Sequence, residues 1–261
     1  MSTYAFDIDG IICKTGGSNY TDSSPNHDVI VNINTLYEQG HVIKIFTGRG
    51  AVSGKDWKEF TRKQLDQWGV KYTELIMGKP HFNYLLDDKT ITMNEFMINN
   101  VMVDCLIADM VKAFKNGNKV LVCGNGGLAS DSEHFVAELV GKYGGEVYLP
   151  AMAITCNSAL MTCIPNDFGF ENVFSHQVEV LGKKGDVLFG MTTSRSANII
   201  KALMSGKEKG LITVAVCSMK WEIPYADYKF RIYGNDTAEL QNEMIKFLHR
   251  IAFEVKRVYA N

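Results

Sequence analysis

The sequence predicts an α/β protein of two domains, each built on a mainly parallel sheet. Three observations carry that prediction. Short apolar runs of strand length alternate with stretches whose apolar residues recur at helical spacing. The residues able to do chemistry fall where those runs end, and ligands bind at the carboxyl ends of strands in open α/β sheets. The third is residues 119–143, KVLVCGNGGLASDSEHFVAELVGKY, which read as a buried strand, a glycine turn and a helix. The expected domains are residues 1–91 and 92–261.

The chain has 261 residues, 46% hydrophobic and 21% charged, which is enough apolar material for real cores. Its net charge of -2 gives no electrostatic case for nucleic acid or for an anionic membrane. The six cysteines, at 13, 105, 123, 156, 163 and 217, form no CxxC pair, so they read as reduced thiols. No run approaches the ~20 apolar residues of a membrane span. An aspartate stands where a signal peptide would be apolar. A cytosolic protein is the expectation.

Residues 4–8 read as a strand that delivers Asp7-Ile8-Asp9-Gly10. Two carboxylates two residues apart could hold Mg2+ and leave one free to attack phosphorus. DxDG also opens calcium loops, but Ile11, Ile12 and Cys13 break that pattern. Residues 28–38 read as a helix stopped by Gly40. Residues 41–46 form the next strand and deliver Thr47-Gly48-Arg49, a hydroxyl placed to meet a phosphoryl oxygen. A helix over 55–68 ends at Gly69, and 70–77 lead to Gly78-Lys79-Pro80. A strand over 84–86 ends in Asp87-Asp88. Four strand ends thus carry Asp/Asp, Thr, Lys and Asp/Asp in order.

FDIDG, GHVIKIFTGRG, QLDQWGVKYTELIMGKP and LLDD together resemble the haloacid dehalogenase (HAD) superfamily. The closer likeness is to its small capless, phosphatase-like members of capsule and lipopolysaccharide gene clusters. The resemblance implies Asp7 as nucleophile and Asp9 as general acid/base. It also implies Thr47 and Lys79 as phosphate ligands, with Mg2+ held by Asp7 and Asp9 and by Asp87 or Asp88. Ile11 stands where the family has threonine after DxDG, and Asn83 where it often has aspartate. There is no room for a cap domain.

Residues 93–115 read as a long apolar-rich helical segment that joins the domains and packs on the second. In the strand–turn–helix that follows, Gly124, Gly126 and Gly127 let the backbone turn sharply. Ser130 and Asp131 are of the types that cap helices, and the helix N-terminus suits a phosphate. His134 and Glu138, four apart, share one helix face. That spacing suits a metal or proton-transfer pair, although a His and Glu so spaced are more often a surface contact than ligands.

Residues 150–155 read as a strand, and 165–170 as a loop rich in groups able to bind sugar hydroxyls, Asp167 among them. Residues 185–191 form a buried strand that runs into Thr192-Thr193-Ser194-Arg195-Ser196 and a helix from Ala197. Hydroxyls and a cation there make either an anion cradle or a Ser/Thr-rich cap. The last clear strand spans 211–216, and the final helix 237–259. On that helix Gln241 and His249 are eight apart, roughly 12 Å. They meet one ligand only from different levels or different subunits. His249 alone, on a largely apolar helix, has the pattern of a core histidine.

CGNGG, HFVAEL-GKY, NDFGFENVFS, KKGDVLFG, SANIIKA and TAELQ…H resemble the sugar isomerase (SIS) fold, within it the phosphoheptose isomerases. The fold class implied is a HAD-like Rossmannoid domain followed by a SIS-type doubly wound parallel-sheet domain. The resemblance makes Glu138 and His249 the acid/base pair, and His134, Glu138, Gln241 and His249 the ligands of Zn2+. It assigns Asn125, Gly126, Gly127, Lys142, Asp167, Thr192, Thr193, Ser194, Ser196 and Gln241 to substrate binding. The implied reaction converts sedoheptulose 7-phosphate to an aldoheptose 7-phosphate for surface-polysaccharide synthesis, in a homotetramer. The phosphosugar substrate is the only partner expected besides further copies of the chain. Two other readings stand beside it: an isomerase of another phosphosugar, and a non-catalytic phosphosugar- or partner-binding module. Leu128 replaces the family's serine after CGNGG, Arg195 shortens its STSGNS loop, and Lys142 replaces an arginine. A related SIS subgroup of replication proteins lacks the terminal histidine, which this chain keeps at 249.

Overall fold

The computed structural model describes residues 1–16, 19–80, 91, 93–97 and 100–260. They form two compact units, Met1–Met97 and Ile98–Asn261. The strand expected over 84–86, with Asn83, Asp87 and Asp88, lies outside the described residues.

The first unit begins with β1 (Thr3–Phe6). A hairpin of β2 (Cys13–Gly16) and β3 (Asn19–Pro25) follows, which the sequence reading lacks. Its polar, weakly alternating residues carry no strand signal. Next come α1 (His27–Glu38), β4 (Val42–Thr47), α2 (Lys58–Gln67) and β5 (Glu74–Met77). β1, β4 and β5 pair in that order, all parallel. Ile8, Ile12, Val29, Ile33, Ile43, Ile45 and Leu65 form the core between sheet and helices. The 93–115 segment is shared between the two units. α3 (Met93–Met97) packs on the first unit, with Phe96 edge-on to Phe6 at 5.0 Å, whereas α4 (Asn100–Lys115) belongs to the second.

The second unit continues with β6 (Val120–Gly124), α5 (Gly127–Val140), β7 (Ala151–Ala153), α6 (Leu160–Phe168) and α7 (Ser175–Leu181). It ends with β8 (Val187–Thr192), α8 (Ala197–Glu208), β9 (Ile212–Ser218), β10 (Tyr228–Ile232) and α9 (Thr237–Tyr259). The sheet order is β10-β9-β8-β6-β7, every pair parallel. Its central strands are buried on both faces, as their unbroken apolar runs require. Val120, Val122, Phe189 and Val214 face α4, α5 and α9; Leu121, Cys123, Leu188 and Ala215 face α7 and α8. The winding direction reverses between β6 and β8, and that switch point is where ligands collect in doubly wound sheets.

The stretch expected as a loop at 165–170 is mostly helix. Asn157 Oδ1 accepts the N–H groups of Ala159 and Leu160 at 3.1 Å and starts α6, which runs through Pro165 to Phe168. Gly169, with φ of 85°, ends it. Ile164, buried, and Met161 supply the helix's inward face.

The amino-terminal edge of the second sheet is pinned by carboxylates. Asp186, just before β8, accepts from Lys119 Nζ (2.5 Å), Lys119 N (3.0 Å), Asn118 Nδ2 (3.1 Å) and Lys183 N (2.9 Å). Asp227, before β10, pairs with Lys207 and takes the N–H and hydroxyl of Thr213. Chemistry is left to the opposite edge. Among the described residues no helix is long and apolar enough to cross a membrane.

Candidate active site

At the carboxyl edge of the second sheet, β6 ends and the chain turns through Asn125, Gly126 and Gly127 into α5. Gly126 takes φ of 58°, which L side chains rarely adopt. α5 begins at Gly127, so Ser130 and Asp131 lie within its first turns and do not cap it. Leu128 packs its side chain into the core and offers nothing to the surface of the turn.

Beside this turn, β8 ends in the second loop. The two are joined by a reciprocal amide pair: Asn125 Nδ2 donates to Asn198 Oδ1, and Asn198 Nδ2 to Asn125 Oδ1, both at 2.9 Å. Asn125, expected to bind substrate, thus spends its amide on holding the turn to the head of α8. Asn198 went unrecognised because a lone Asn in a helix's first turn reads as a local cap. Thr192 is similarly occupied. It is buried, its hydroxyl donates to Ser194 O at 2.8 Å, and it accepts Ser194 N–H at 3.1 Å. Ser194 and Ser196 pair with each other at 3.1 Å and remain at the surface with Thr193 and Arg195. These four, not Thr192, are the groups the loop can present.

α5 and α9 pack on one face of the sheet, and between them the sequence-predicted cluster assembles. His134 Nε2 lies 2.9 Å from Glu138 Oε1 and 3.3 Å from His249 Nε2, which is 4.0 Å from the same carboxylate oxygen. The imidazoles meet edge to face at 4.9 Å. His249 is therefore no core histidine. Two imidazole nitrogens and a carboxylate oxygen lie within 4.8 Å of one another, the only such His/Cys/Asp/Glu group among the described residues. This His2Glu donor set is that of catalytic zinc sites, which keep one position open, so the residues fit Zn2+.

Gln241 sits apart from that trio. Its carboxamide covers Gly127, where a Cβ would stand 2.8 Å from both Nε2 and Oε1. Eight residues of α9, about 12 Å of rise, separate it from His249. The expected fourth metal ligand therefore lies at the level of the glycine turn. Lys142 is turned away, paired with Glu146 at 3.2 Å on the surface. Asp167 is exposed on α6, bound to Asn166 Nδ2 at 2.8 Å.

A model of the SIS domain family matches residues 99–218. The phosphoheptose isomerase of Synechocystis sp. is 37% identical over 163 residues, spanning 60% of this chain and 84% of that protein. That of Aliarcobacter butzleri is 41% identical over 145 residues, 54% of this chain and 77% of that protein. The chain belongs to the phosphoheptose isomerase family. A solved phosphoheptose isomerase from Neisseria gonorrhoeae superposes with a TM-score of 0.56 at 33% identity, covering 61% of this chain and 88% of that one. The family model lies within the second unit, where this family's chain keeps His134, Glu138 and His249 together.

In the first unit, Asp7 and Lys79 form an ion pair where β1 and β5 end. Thr47 closes β4 beside them: its carbonyl accepts Lys79 N–H at 3.0 Å, and its buried hydroxyl accepts Arg49 N–H at 3.2 Å. Asp9, expected as the general acid/base, sits in a network of its own. Arg49, buried, forks onto it with Nε to Oδ2 at 2.9 Å and Nη2 to Oδ1 at 2.8 Å, while Thr15 donates at 2.6 Å. Burial pushes the Asp9 carboxyl up, but the Arg49 and Thr15 bonds outweigh it and hold its pKa below the ordinary value. Those bonds favour the charged carboxylate and tie the loop that carries it to Arg49. Arg49 was visible in TGR, but nothing in sequence placed it on Asp9.

Proposed function

We propose that the second unit interconverts a ketose and an aldose phosphate, with sedoheptulose 7-phosphate as substrate and an aldoheptose 7-phosphate as product. The observation that carries this reading is the His134–Glu138–His249 cluster, set between α5 and α9 of a doubly wound sheet. One group of that cluster takes a proton from a carbon next to the carbonyl, and another delivers one to oxygen, so that hydrogen moves between C1 and C2 through an enediol. Glu138 is assigned the carbon proton and His249 the oxygen. Zn2+ held by His134, Glu138 and His249 would polarise the carbonyl. Thr193, Ser194, Arg195 and Ser196 at the head of α8 take the phosphate, and Gln241, over Gly127, a substrate hydroxyl. His134 is half exposed in the single chain, and a homotetramer would close over it.

The test is NMR-monitored turnover of sedoheptulose 7-phosphate by metal-replete protein. An aldoheptose 7-phosphate is expected. Folded, metal-loaded protein that converts nothing sinks the heptose assignment. Turnover of a different ketose phosphate would instead mark Arg195 as the sign of a changed substrate.

A second reading concerns the first unit. Asp7, Thr47 and Lys79 gather at the carboxyl ends of three parallel strands, which favours phosphoester hydrolysis of HAD type. Asp7 would be the nucleophile, Lys79 would offset phosphoryl charge, and Mg2+ would be held at Asp7 with Asp87 or Asp88. Free phosphate from a sugar phosphate panel is the expected result. Release that survives Asp7→Asn would remove Asp7 from the chemistry.

A further inference from the structure

Lys256 lies two helical turns beyond His249 on α9, with its side chain sealed from solvent at 1% exposure. Among the described residues no carboxylate bonds it. Its ammonium donates to Gly141 O at 2.6 Å and Tyr143 O at 3.0 Å. Burying an ammonium against two neutral carbonyls is costly, so a methionine or leucine would serve a plain core better. Burial lowers the Lys256 pKa, against an opposing pull from the Glu138 carboxylate.

The two carbonyls identify what the charge does. α5 ends at Val140, two residues past Glu138, with Gly141 as its C-cap, and the carbonyls of the turn that follows need partners. Lys256 supplies a donor there and so fastens the turn after α5 onto α9. Gly144 presses on the same helix, for a Cβ at that position would lie 3.2 Å from the Phe253 ring. Between these fastenings stands Tyr143, whose ring lies on the His249 imidazole with centroids 5.5 Å apart and planes at 37°.

We infer that Lys256 is a positioning residue for the catalytic cluster: it fixes the turn that seats Tyr143 against His249. The inference rests on the reading of His249 as an acid–base group, but its structural half is tested independently. In full-length protein, Lys256→Met keeps the length of the side chain and removes the donor, and Tyr143→Leu removes the ring. The nuclear Overhauser cross-peak between the Tyr143 and His249 rings is expected in the unaltered protein and lost in Lys256→Met. Turnover of sedoheptulose 7-phosphate is expected to fall about 10- to 100-fold in kcat in each variant, the range for groups that orient site ligands, with KM changed less than twofold. The double variant should be no worse than Lys256→Met, because both act through one contact. A cross-peak that persists in Lys256→Met overturns the inference whether or not the protein is an isomerase. Full kcat in Tyr143→Leu overturns it even if Lys256→Met fails to fold.

Discussion

Glu138→Gln is expected to lower the kcat of ketose–aldose conversion by about 10^2- to 10^4-fold, the range for loss of a positioned acid–base group. The substitution keeps the shape of the side chain and removes its ability to take a proton. Glu138 faces His134 at 2.9 Å and His249 at 4.0 Å, so no second carboxylate of this cluster can stand in for it. The fold should be indifferent, because Glu138 is a partly exposed residue whose neighbours there are imidazoles and not the core. The loss should also appear in metal binding. An amide oxygen is a weaker ligand than a carboxylate, so Zn2+ retention in a chelator competition should fall together with turnover. Near-normal kcat in the variant would show that the proton is carried elsewhere and would leave the cluster a binding site.

Legibility divided along physical lines. The alternation of buried strands and amphipathic helices in the second unit was readable because the central strands β6, β8 and β9 are sealed on both faces; the edge strand β10, which alternates buried with exposed residues, gave no such run. His134 and Glu138 were readable because spacing on one helix fixes their common face. His249 lies 115 residues from His134, and only the packing of α9 on α5 makes them neighbours. No spacing rule reaches that far. The same limit hid Asn198, Lys256 and the grip of Arg49 on Asp9. Each uses an ordinary polar residue whose meaning lies entirely in a distant partner. Leu128 taught the converse: what reads in sequence as a hydroxyl missing from a ligand site is, in the fold, a core side chain.

The amino-terminal edge of the second sheet carries the other large expected effect. Four donors converge on the two oxygens of Asp186: Asn118 Nδ2 and Lys119 N on Oδ1, Lys119 Nζ and Lys183 N on Oδ2. Asp186→Asn offers one oxygen only and turns an NH2 toward two of those donors. Breaking a buried pair from one side costs about 3–5 kcal/mol. The Lys119 side chain, 24% exposed, can recover some hydration, which puts the expectation near the lower figure. Amide exchange in β6 and β8, read by mass spectrometry at pH 7, should accelerate about 100-fold, since 1.4 kcal/mol is a factor of ten. The pH dependence has a fixed sign. Burial raises the Asp186 carboxyl, but the bonds from Lys119, Lys183 and Asn118 prevail and depress its folded pKa. Between that value and the unfolded one of about 3.9, the unfolded chain binds more protons, so stability rises with pH. The charge-dependent gap between protein and variant should therefore be full at pH 7 and above about pH 5, and shrink as pH falls through the folded pKa. A gap that does not narrow in acid would mean that side-chain shape, and not the carboxylate charge, holds the edge together.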